Sequence, residues 1–543
     1  MQTRAKSGIS KAIRPSVFLA ETEPNSVKEA LNHAGWKQAM EAEYSALLAN
    51  NTWSLVPLPS HRQAIGCKWV FRIKQNPDGS IQKYKARLVA KGFHQQPGSD
   101  YSETFSPVVK PITVRILLTL ALTNHWPLRQ LDVNNAFLNG TLDEEVYMQQ
   151  PPGFKHSDKS LVCRLHKSLY GLKQAPRQWF EKLKGTLISF GFKVSRCDNS
   201  LFTLISPAVQ VFILVYVDDI IVTGSNPEYI QSLVSKLNSS FALKDLGNLD
   251  YFLGIQVLTL PNGGLLLSQS KYIKDLLDRA NMSDARSIAS PMAANCRLTK
   301  ESGSPLPDAT LYRSIVGALQ YATISRPEIS FSVNKVCQYL SQPYDTHWAA
   351  VKRILRYLKG TLHHGLCLQP APKGPLSLTG FCDADWATDV DDRRSISGAA
   401  IFVGPNLVTW WSKKQQSVSR SSTEAEYRSL ASTAAELMWV KSLLSELCVS
   451  YKPPVILCDN LSTVALAHNP VLHAKTKHIA LDLFFVSEQV QSKTITVQHL
   501  PSSHQIADVL TKPLSSTRFE TLRQRLRVLY KGDLLPALDL NGV

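Results

Sequence analysis

The stretch VFILVYVDDIIVTG, residues 211–224, decides the fold. Two adjacent carboxylates, Asp218 and Asp219, sit between two apolar runs rich in β-branched residues. Residues 211–217 and 220–222 each read as a buried strand, which predicts a β-hairpin with the acidic pair at or near its turn. Like charges side by side against a core are costly unless something positive sits on them. A solvated Asp-Asp turn is the plain alternative. Such a turn usually adds Gly or Asn, and neither is present. The tight apolar flanks suit a rigid platform, where metal-holding carboxylates are best placed. The pair needs partners elsewhere in the chain.

A chain of 543 residues has room for roughly two to four domains. It carries 60 Lys and Arg against 43 Asp and Glu, a formal net charge of +17. A chain this basic suggests a polyanionic partner, most simply nucleic acid, although a generic basic surface gives the same count. The nine cysteines are scattered, with no Cys-x-x-Cys pair. That argues against a zinc site or a disulfide framework and for a reducing compartment. The N-terminus, MQTRAKSGISKAIRP, is basic but lacks the apolar core of a signal peptide. No uncharged apolar run reaches the ~18 residues that span a membrane. A soluble, intracellular chain without membrane contact is expected.

Residues 1–25 read as a flexible leader. A helical pattern follows, with Ser26 and Glu29 at capping-box spacing. GCKWVFRIKQNPDGSIQKYKARLVAKGF reads as a hairpin turning at residues 76–79. Its second strand carries Lys83, Lys85, Arg87 and Lys91, which form either a cationic stripe for phosphates or a solvated strand face. PLRQLDVNNAFLNG is a strand ending at Asp132 and running into a turn. Residues 228–245 read as helical, and residues 308–360 as a helical block ending in THWAAVKRILRYLKGTL, where Lys352, Arg356 and Lys359 share a face. LQPAPKGP, residues 368–375, reads as a linker. Beyond it the order is three strands, a helix, a strand, helices, a strand and a helix, which describes a compact α/β domain.

Asp132 answers the opening question. If its strand pairs with the Asp218-Asp219 hairpin, three carboxylates converge. They could hold Mg²⁺, which takes carboxylate oxygens, waters and substrate phosphates. Two such ions clamp the attacking and leaving oxygens of an in-line phosphoryl displacement.

QLDVNNAFLNG, KSLYGLKQAPRQWF, YVDDIIVTG and LGNLDYFLGIQV occur in the order found in reverse transcriptases of copia-type retrotransposons. RPEISFSVNKVCQYLSQP and HWAAVKRILRYLKGT stand behind them. From about residue 26 to 515 the chain resembles the end of a copia-type Pol polyprotein. The resemblance implies an α+β polymerase palm and fingers with a helical thumb and connection, followed by an α/β ribonuclease H-like domain. The implied boundaries are 26–245 for fingers and palm, 246–367 for the primer-grip hairpin and thumb or connection, 376–515 for the ribonuclease H-like domain and 516–543 for a tail. Asp132, Asp218 and Asp219 match the catalytic metal ligands. Phe137 matches the aromatic under the sugar of the incoming nucleotide, where a 2′-OH would clash; a core aromatic is its plain alternative. Gly171, Lys173 and Gln174 fall in the segment that lines the nucleotide and template pocket. Arg87, with Lys85, is similar to the residues that hold triphosphate.

In the C-terminal domain Asp383, Glu426, Asp459 and Asp508 look like the acid quartet of ribonuclease H, which binds two Mg²⁺. Asp385 and Glu424 compete for two of these roles. His478, His499 and His504 read as structural before they read as catalytic. The family commonly has a His and an Arg where this chain has Phe484 and Ser487. The motifs of a protease, a zinc knuckle and an integrase zinc pattern are not found, which suggests a processed product or a truncated copy. The resemblance implies RNA-directed DNA synthesis with degradation of the RNA in RNA/DNA hybrids, and Mg²⁺ in pairs, with Mn²⁺ as the alternative ion. The implied partners are an RNA template, a DNA primer, the hybrid and dNTPs, with other Pol or Gag products as candidates. The implied location is the cytoplasm, in virus-like particles, with the nucleus as alternative. A decayed relic that retains only nucleic-acid binding, and a polymerase with an inert ribonuclease domain, are the competing readings.

Overall fold

The computed structural model describes residues 23–75, 80–469 and 479–534, and the chain divides into two units. One is Met1–Ser106 with Asn135–Leu183; the other is Pro107–Asn134 with Lys184–Val543. Most of the expected leader, the turn at 76–79 and His478 lie outside the described residues.

In the first unit Ser26 caps the helix Val27–Leu31 by accepting the Glu29 N–H at 3.2 Å. Glu29 returns a carboxylate to the Asn25 N–H at 2.9 Å, one residue earlier than a capping box would place it. The helix Ala34–Ala49 lays Trp36 edge-on against Phe71 and Tyr84 of a two-stranded ribbon, Cys67–Gln75 with Ile81–Ala90. Ala86, Leu88 and Ala90 are buried on one face of that ribbon. The register sets Arg72 opposite Lys85 and Lys74 opposite Lys83 on the other face, so the cationic stripe is two strands wide. Like charges in direct opposition cost stability. Glu23 partly offsets this by pairing with Arg72 at 2.7 Å. A three-stranded antiparallel sheet, in the order Trp53–Pro57, Leu161–Lys167, Thr141–Met148, completes the strands of the unit.

The second unit holds three sheets. The first is antiparallel, with the order Leu243–Asn248, Leu128–Val133, Asp219–Gly224, Gln210–Tyr216, Leu201–Ile205, Lys193–Val194. The helix Pro227–Ser240 ends before the chain becomes the edge strand at Leu243, so the helical reading of 228–245 is too long at its C-terminal end. Leu243-Lys244-Asp245 pairs with Asp132 and its neighbours, and that pairing overrides helix propensity. The second sheet runs Tyr251–Phe252, Ile255–Thr259, Leu265–Ser268, His364–Leu368, Val528–Tyr530, beside the helices Thr310–Ala322, Ser330–Cys337 and Asp345–Gly360. The third is ordered Asn406–Lys414, Ile396–Val403, Leu378–Asp385, Val455–Cys458, Thr496–His499. Its first three strands are antiparallel and its last two run parallel to the central one, with the helix Ser422–Glu446 packed on it.

One apolar core runs through this unit, including Ile116, Tyr312, Leu355, Phe402 and Leu437. The expected linker is part of that packing. Leu368 ends a strand, Ala371 is buried, and the Ala371 N–H donates to Thr123 Oγ1 at 3.0 Å. Asn406 accepts from the Gln369 N–H and donates to the Gln369 carbonyl, both at 2.8 Å. Residues 368–371 are thus packed in, while residues 372–375 are exposed. The described part of the expected tail, residues 516–534, is also built in: Ser516–Arg525 is a helix, and Val528–Tyr530 is an edge strand paired with His364–Leu368.

Candidate active sites

The hairpin forms as expected. Tyr216 faces Asp219, leaving Val217 and Asp218 as a two-residue turn. Val217 sits at φ 55°, where a β-branched side chain is strained. A glycine would take this conformation freely, so the strain marks a turn whose shape matters beyond folding. The same strand pairs with Leu128–Val133 so that Asp219 lies directly opposite Asp132. The Asp218 carbonyl accepts the Val133 N–H at 2.9 Å, which ties the turn to the neighbouring strand. Three half-buried carboxylates therefore converge at one end of a six-stranded sheet. Burial, then Asp218 and Asp132, push the Asp219 carboxyl up to about 6, with a Gln130 hydrogen bond pulling the other way. On the far side of Asp132 the register places Lys244, an exposed residue the motif reading missed.

In the first unit the expected nucleotide contacts separate into two groups. Arg87 and Phe137 are both built around Tyr170. The Arg87 guanidinium lies 4.4 Å from the Tyr170 ring centre, and Phe137 meets the same ring edge-on at 4.7 Å. Phe137 is nine-tenths buried. Lys85 and Arg87 both lie close enough to Glu43 to lower its carboxyl pKa, against the larger effect of burial. Gly171, at φ 91°, brings its segment onto the end of the ribbon, where a Cβ would lie 2.1 Å from the Ala90 carbonyl oxygen. The close approach expected of Gly171 is thus to the chain's own backbone. Gln174 is fully buried, donating to the Asp100 carbonyl at 2.8 Å and accepting from Gln95 at 2.9 Å. Its amide is used up as an internal brace, which corrects its expected place among ligand contacts. Lys173 donates to Tyr101 Oη at 3.0 Å.

The third sheet assembles the four C-terminal acids. Asp383 is on the central strand, 1% exposed. Ser429, from the helix Ser422–Glu446, donates to the Asp383 carbonyl at 2.9 Å. Gln505 donates to the Cys382 carbonyl at 2.8 Å and so brings the 3₁₀ segment Ile506–Leu510, with Asp508, onto the same strand. Asp383 faces Gly398, and a Cβ there would collide with Leu510 and Thr511. The expected final helix is in fact two short 3₁₀ turns, Ser502–His504 and Ile506–Leu510. His499 and His504 are exposed.

The quartet is arranged in two halves. Ligand atoms of Glu426, Asp459 and Cys458 lie within 4.8 Å of one another. Asp383 and Asp508 are bridged by Lys512, whose Nζ is 3.3 Å from Asp383 Oδ2 and 2.9 Å from Asp508 Oδ1. Thr511 also donates to Asp383. Burial pushes Asp383 up to about 6, against the pull of Lys512. Burial first, then Asp383, raises Glu426 well above the ordinary carboxylate range. Glu424 is otherwise engaged: it accepts the Arg420 N–H at 2.7 Å and pairs with Arg428 at 2.7 Å, while its own N–H is capped by Ser421. Glu426, not Glu424, is the one grouped with Asp459. Asp385 is half-buried at the end of the central strand, beside Lys512.

These donor sets suit a hard divalent cation. Asp132, Asp218 and Asp219 bring three carboxylates to one sheet end with no ion pair among the described residues, and ligand oxygens of Glu426 and Asp459 lie within 4.8 Å of each other. Cys458 is the one soft atom near the second set.

Residues 50–294 match the family model described as reverse transcriptase (RNA-dependent DNA polymerase). A transposon Ty5-1 protein of Saccharomyces cerevisiae is 34% identical over 310 residues, 56% of this chain and 100% of its own length. The retrovirus-related Pol polyprotein from transposon RE2 of Arabidopsis thaliana is 48% identical over 536 residues, 97% of this chain and 37% of the relative. The chain belongs to the copia-type retrotransposon Pol family. The Pol polyprotein from transposon TNT 1-94 of Nicotiana tabacum is 39% identical over 519 residues, covering 93% of this chain and 39% of its own. This Pol chain thus spans a little over a third of the length of these two polyprotein relatives. The reverse transcriptase match is followed along the chain by an α/β domain built on the third, five-stranded sheet. Among the described residues no helix is long and apolar enough to cross a membrane.

Three residues of the sites were not singled out in the sequence. Lys512 was legible, because it stands four residues after Asp508 on a helical pattern. Tyr170 and Lys244 were not, because their neighbours are set by non-local pairing.

Proposed function

We propose that this chain carries out RNA-directed DNA synthesis at Asp132, Asp218 and Asp219, and hydrolysis of the RNA strand of the hybrid at Asp383, Glu426, Asp459 and Asp508. The observation that carries the first activity is the register of Asp219 against Asp132, with Asp218 in the strained turn between strands. Three carboxylates held on a rigid sheet end are useless for packing and costly without cations. Bound there, Mg²⁺ would supply charge neutralisation for the phosphates of an in-line displacement. The protein's own part is positional. The paired strands fix Asp132 and Asp219, and the Asp218 carbonyl bond to Val133 holds the third carboxylate's turn in place. A primer 3′-OH attacks the α-phosphate of a dNTP and pyrophosphate leaves. In this reading Arg87, with Lys85, binds triphosphate, and Phe137 excludes a 2′-OH. The wide cationic face of the ribbon supports a polyanionic ligand.

In the C-terminal domain Asp383, Glu426 and Asp508 are the buried members, and the half-buried Asp459, just after the strand Val455–Cys458, completes the cluster. Partners would be an RNA template, a DNA primer and the resulting hybrid, recognised largely through backbone and 2′-OH contacts.

The test is a two-by-two assay. Asp218→Asn should reduce primer extension on an RNA template by several orders of magnitude and leave cleavage of a preformed hybrid intact; Asp459→Asn should do the reverse. Hybrid binding controls for folding. Loss of both reactions in either variant, with binding intact, would overturn the two-site reading. No extension and no cleavage by the unaltered chain would leave nucleic-acid binding alone.

A further inference from the structure

Lys512 occupies a position that no packing argument requires. Its ammonium lies between carboxylates from two different elements, the central strand and the 3₁₀ segment Ile506–Leu510. A divalent cation sharing Asp383 Oδ2 and Asp508 Oδ1 needs oxygens at about 2.0–2.1 Å for Mg²⁺. That cation and the Lys512 ammonium, both positive, would then sit on the same two oxygens. The ammonium has a route out. Its side chain is 34% exposed, and Lys512 lines a cavity of about 660 Å³ with Arg297, Arg393, Lys335 and Asp385. Lys335 is committed to Asp389 at 3.1 Å. Arg297 and Arg393 have no carboxylate partner among the described residues, so the cavity wall is net basic and suits a phosphate. Asp508 keeps Arg518 at 3.5 Å when Lys512 leaves, so the carboxylate is not released with it.

We infer that Lys512 is the resident counter-ion of the C-terminal acid cluster, displaced toward the basic cavity as the cation is taken up, where it meets a phosphate of the nucleic-acid strand. The inference rests on the ribonuclease reading of this site. It makes cation and strand uptake mutually reinforcing, since each favours the same position of one side chain.

The experiment uses the full chain with Asp218→Asn and Asp219→Asn, so that Mn²⁺ titration, followed by the electron paramagnetic resonance of the free ion, reports the C-terminal site. Adding Lys512→Met should tighten Mn²⁺ binding about tenfold without nucleic acid. It should also slow hybrid cleavage at saturating metal at least tenfold and raise the KM for hybrid, with Lys512→Arg restoring part of the rate. A second measurement needs no Lys512 variant: acylation of Lys512, read by mass spectrometry, should rise several-fold on adding Mg²⁺ and fall again on adding hybrid. Unchanged or weaker Mn²⁺ affinity in Lys512→Met, or labelling indifferent to Mg²⁺, overturns the inference alone if the unaltered chain still cleaves hybrid. If the unaltered chain shows no Mn²⁺ binding that Asp459→Asn abolishes, the ribonuclease reading falls and takes the inference with it.

Discussion

Asp219 stands directly opposite Asp132 across an antiparallel strand pair, with Asp218 in the turn beside them, and its carboxyl is held up near 6 by burial and by both neighbours. A fold does not need this pair; it tolerates it. Asp219→Asn keeps the shape and removes one charge. In metal-free buffer at neutral pH the variant should be more stable, by about 1 kcal/mol once solvent screening is discounted. Primer extension should meanwhile collapse. Urea midpoints in chelator, beside extension rates, check both. A less stable variant would mean that the carboxylate is part of the structural scaffold.

Val217 stores strain at the turn. Val217→Gly removes a cost on the order of 1–3 kcal/mol but adds back unfolded-state entropy, so a net gain of about 1 kcal/mol is expected. The looser turn should lower kcat for extension several-fold with little change in hybrid binding. Equal stability and equal rate would show that the conformation carries no strain.

Phe137→Ala should raise rNTP use relative to dNTP by about 10–100-fold, the range open to a steric wall worth roughly 1–3 kcal/mol. The control is circular dichroism, because Phe137 also packs on Tyr170. A folded variant that discriminates as before would make Phe137 a core aromatic and nothing more.

Arg115 is buried with no carboxylate partner among the described residues. It donates to the Val408 carbonyl at 2.9 Å and the Ile324 carbonyl at 2.7 Å and lies 3.9 Å from the Trp410 ring centre. Burial lowers its pKa to about 9. It joins the helix Pro111–Thr123, which precedes the Asp132 strand in the chain, to the strand Asn406–Lys414 of the third sheet. Arg115→Ala strands two carbonyls and opens a void, and should cost about 3 kcal/mol. Extension and cleavage should both fall on mild heating, unlike the separate losses from Asp218→Asn and Asp459→Asn. A midpoint unchanged from that of the unaltered chain would refute the clamp.

His364 supplies a pH dependence. Burial, then Arg326 and Arg523, lower its pKa to about 4. The folded value lies below the ordinary one near 6.5, so the neutral ring contributes stability fully above pH 6.5, and this is lost as pH falls toward 4. Discounted for its partial exposure, the loss is about 1 kcal/mol. His364→Phe should flatten that part of the stability profile. A profile with the same slope in both proteins would assign the acid sensitivity elsewhere.

The local features were readable because they rest on short-range physics. Alternating and apolar runs made strands of residues 211–216 and 219–224, and the adjacent acids had to fall at their junction. The spacing of strand ends and helix starts likewise placed Asp383, Glu426, Asp459 and Asp508 on one α/β domain. Composition, in contrast, misled at residues 368–375. Proline and small residues permit a flexible spacer, but Thr123 and Asn406, both distant in the chain, bind the backbone of Ala371 and Gln369, leaving only residues 372–375 exposed. The strand Val528–Tyr530 was unreadable for the same reason, since a three-residue edge exists only because His364–Leu368 offers it a partner.

By itself, then, the sequence determined which acids are the candidates for chemistry and the elements that carry them. It did so through periodicity, capping and turn chemistry that act within a few residues. Only the tertiary structure set Glu426 beside Asp459 and Glu424 on Arg428; the two differ by two residues and so point to nearly opposite sides of one helix. It turned Gln174 inward, and it set Lys512 across Asp383 and Asp508. Those outcomes depend on strand register and on charges brought together from distant parts of the chain, and no local pattern encodes them.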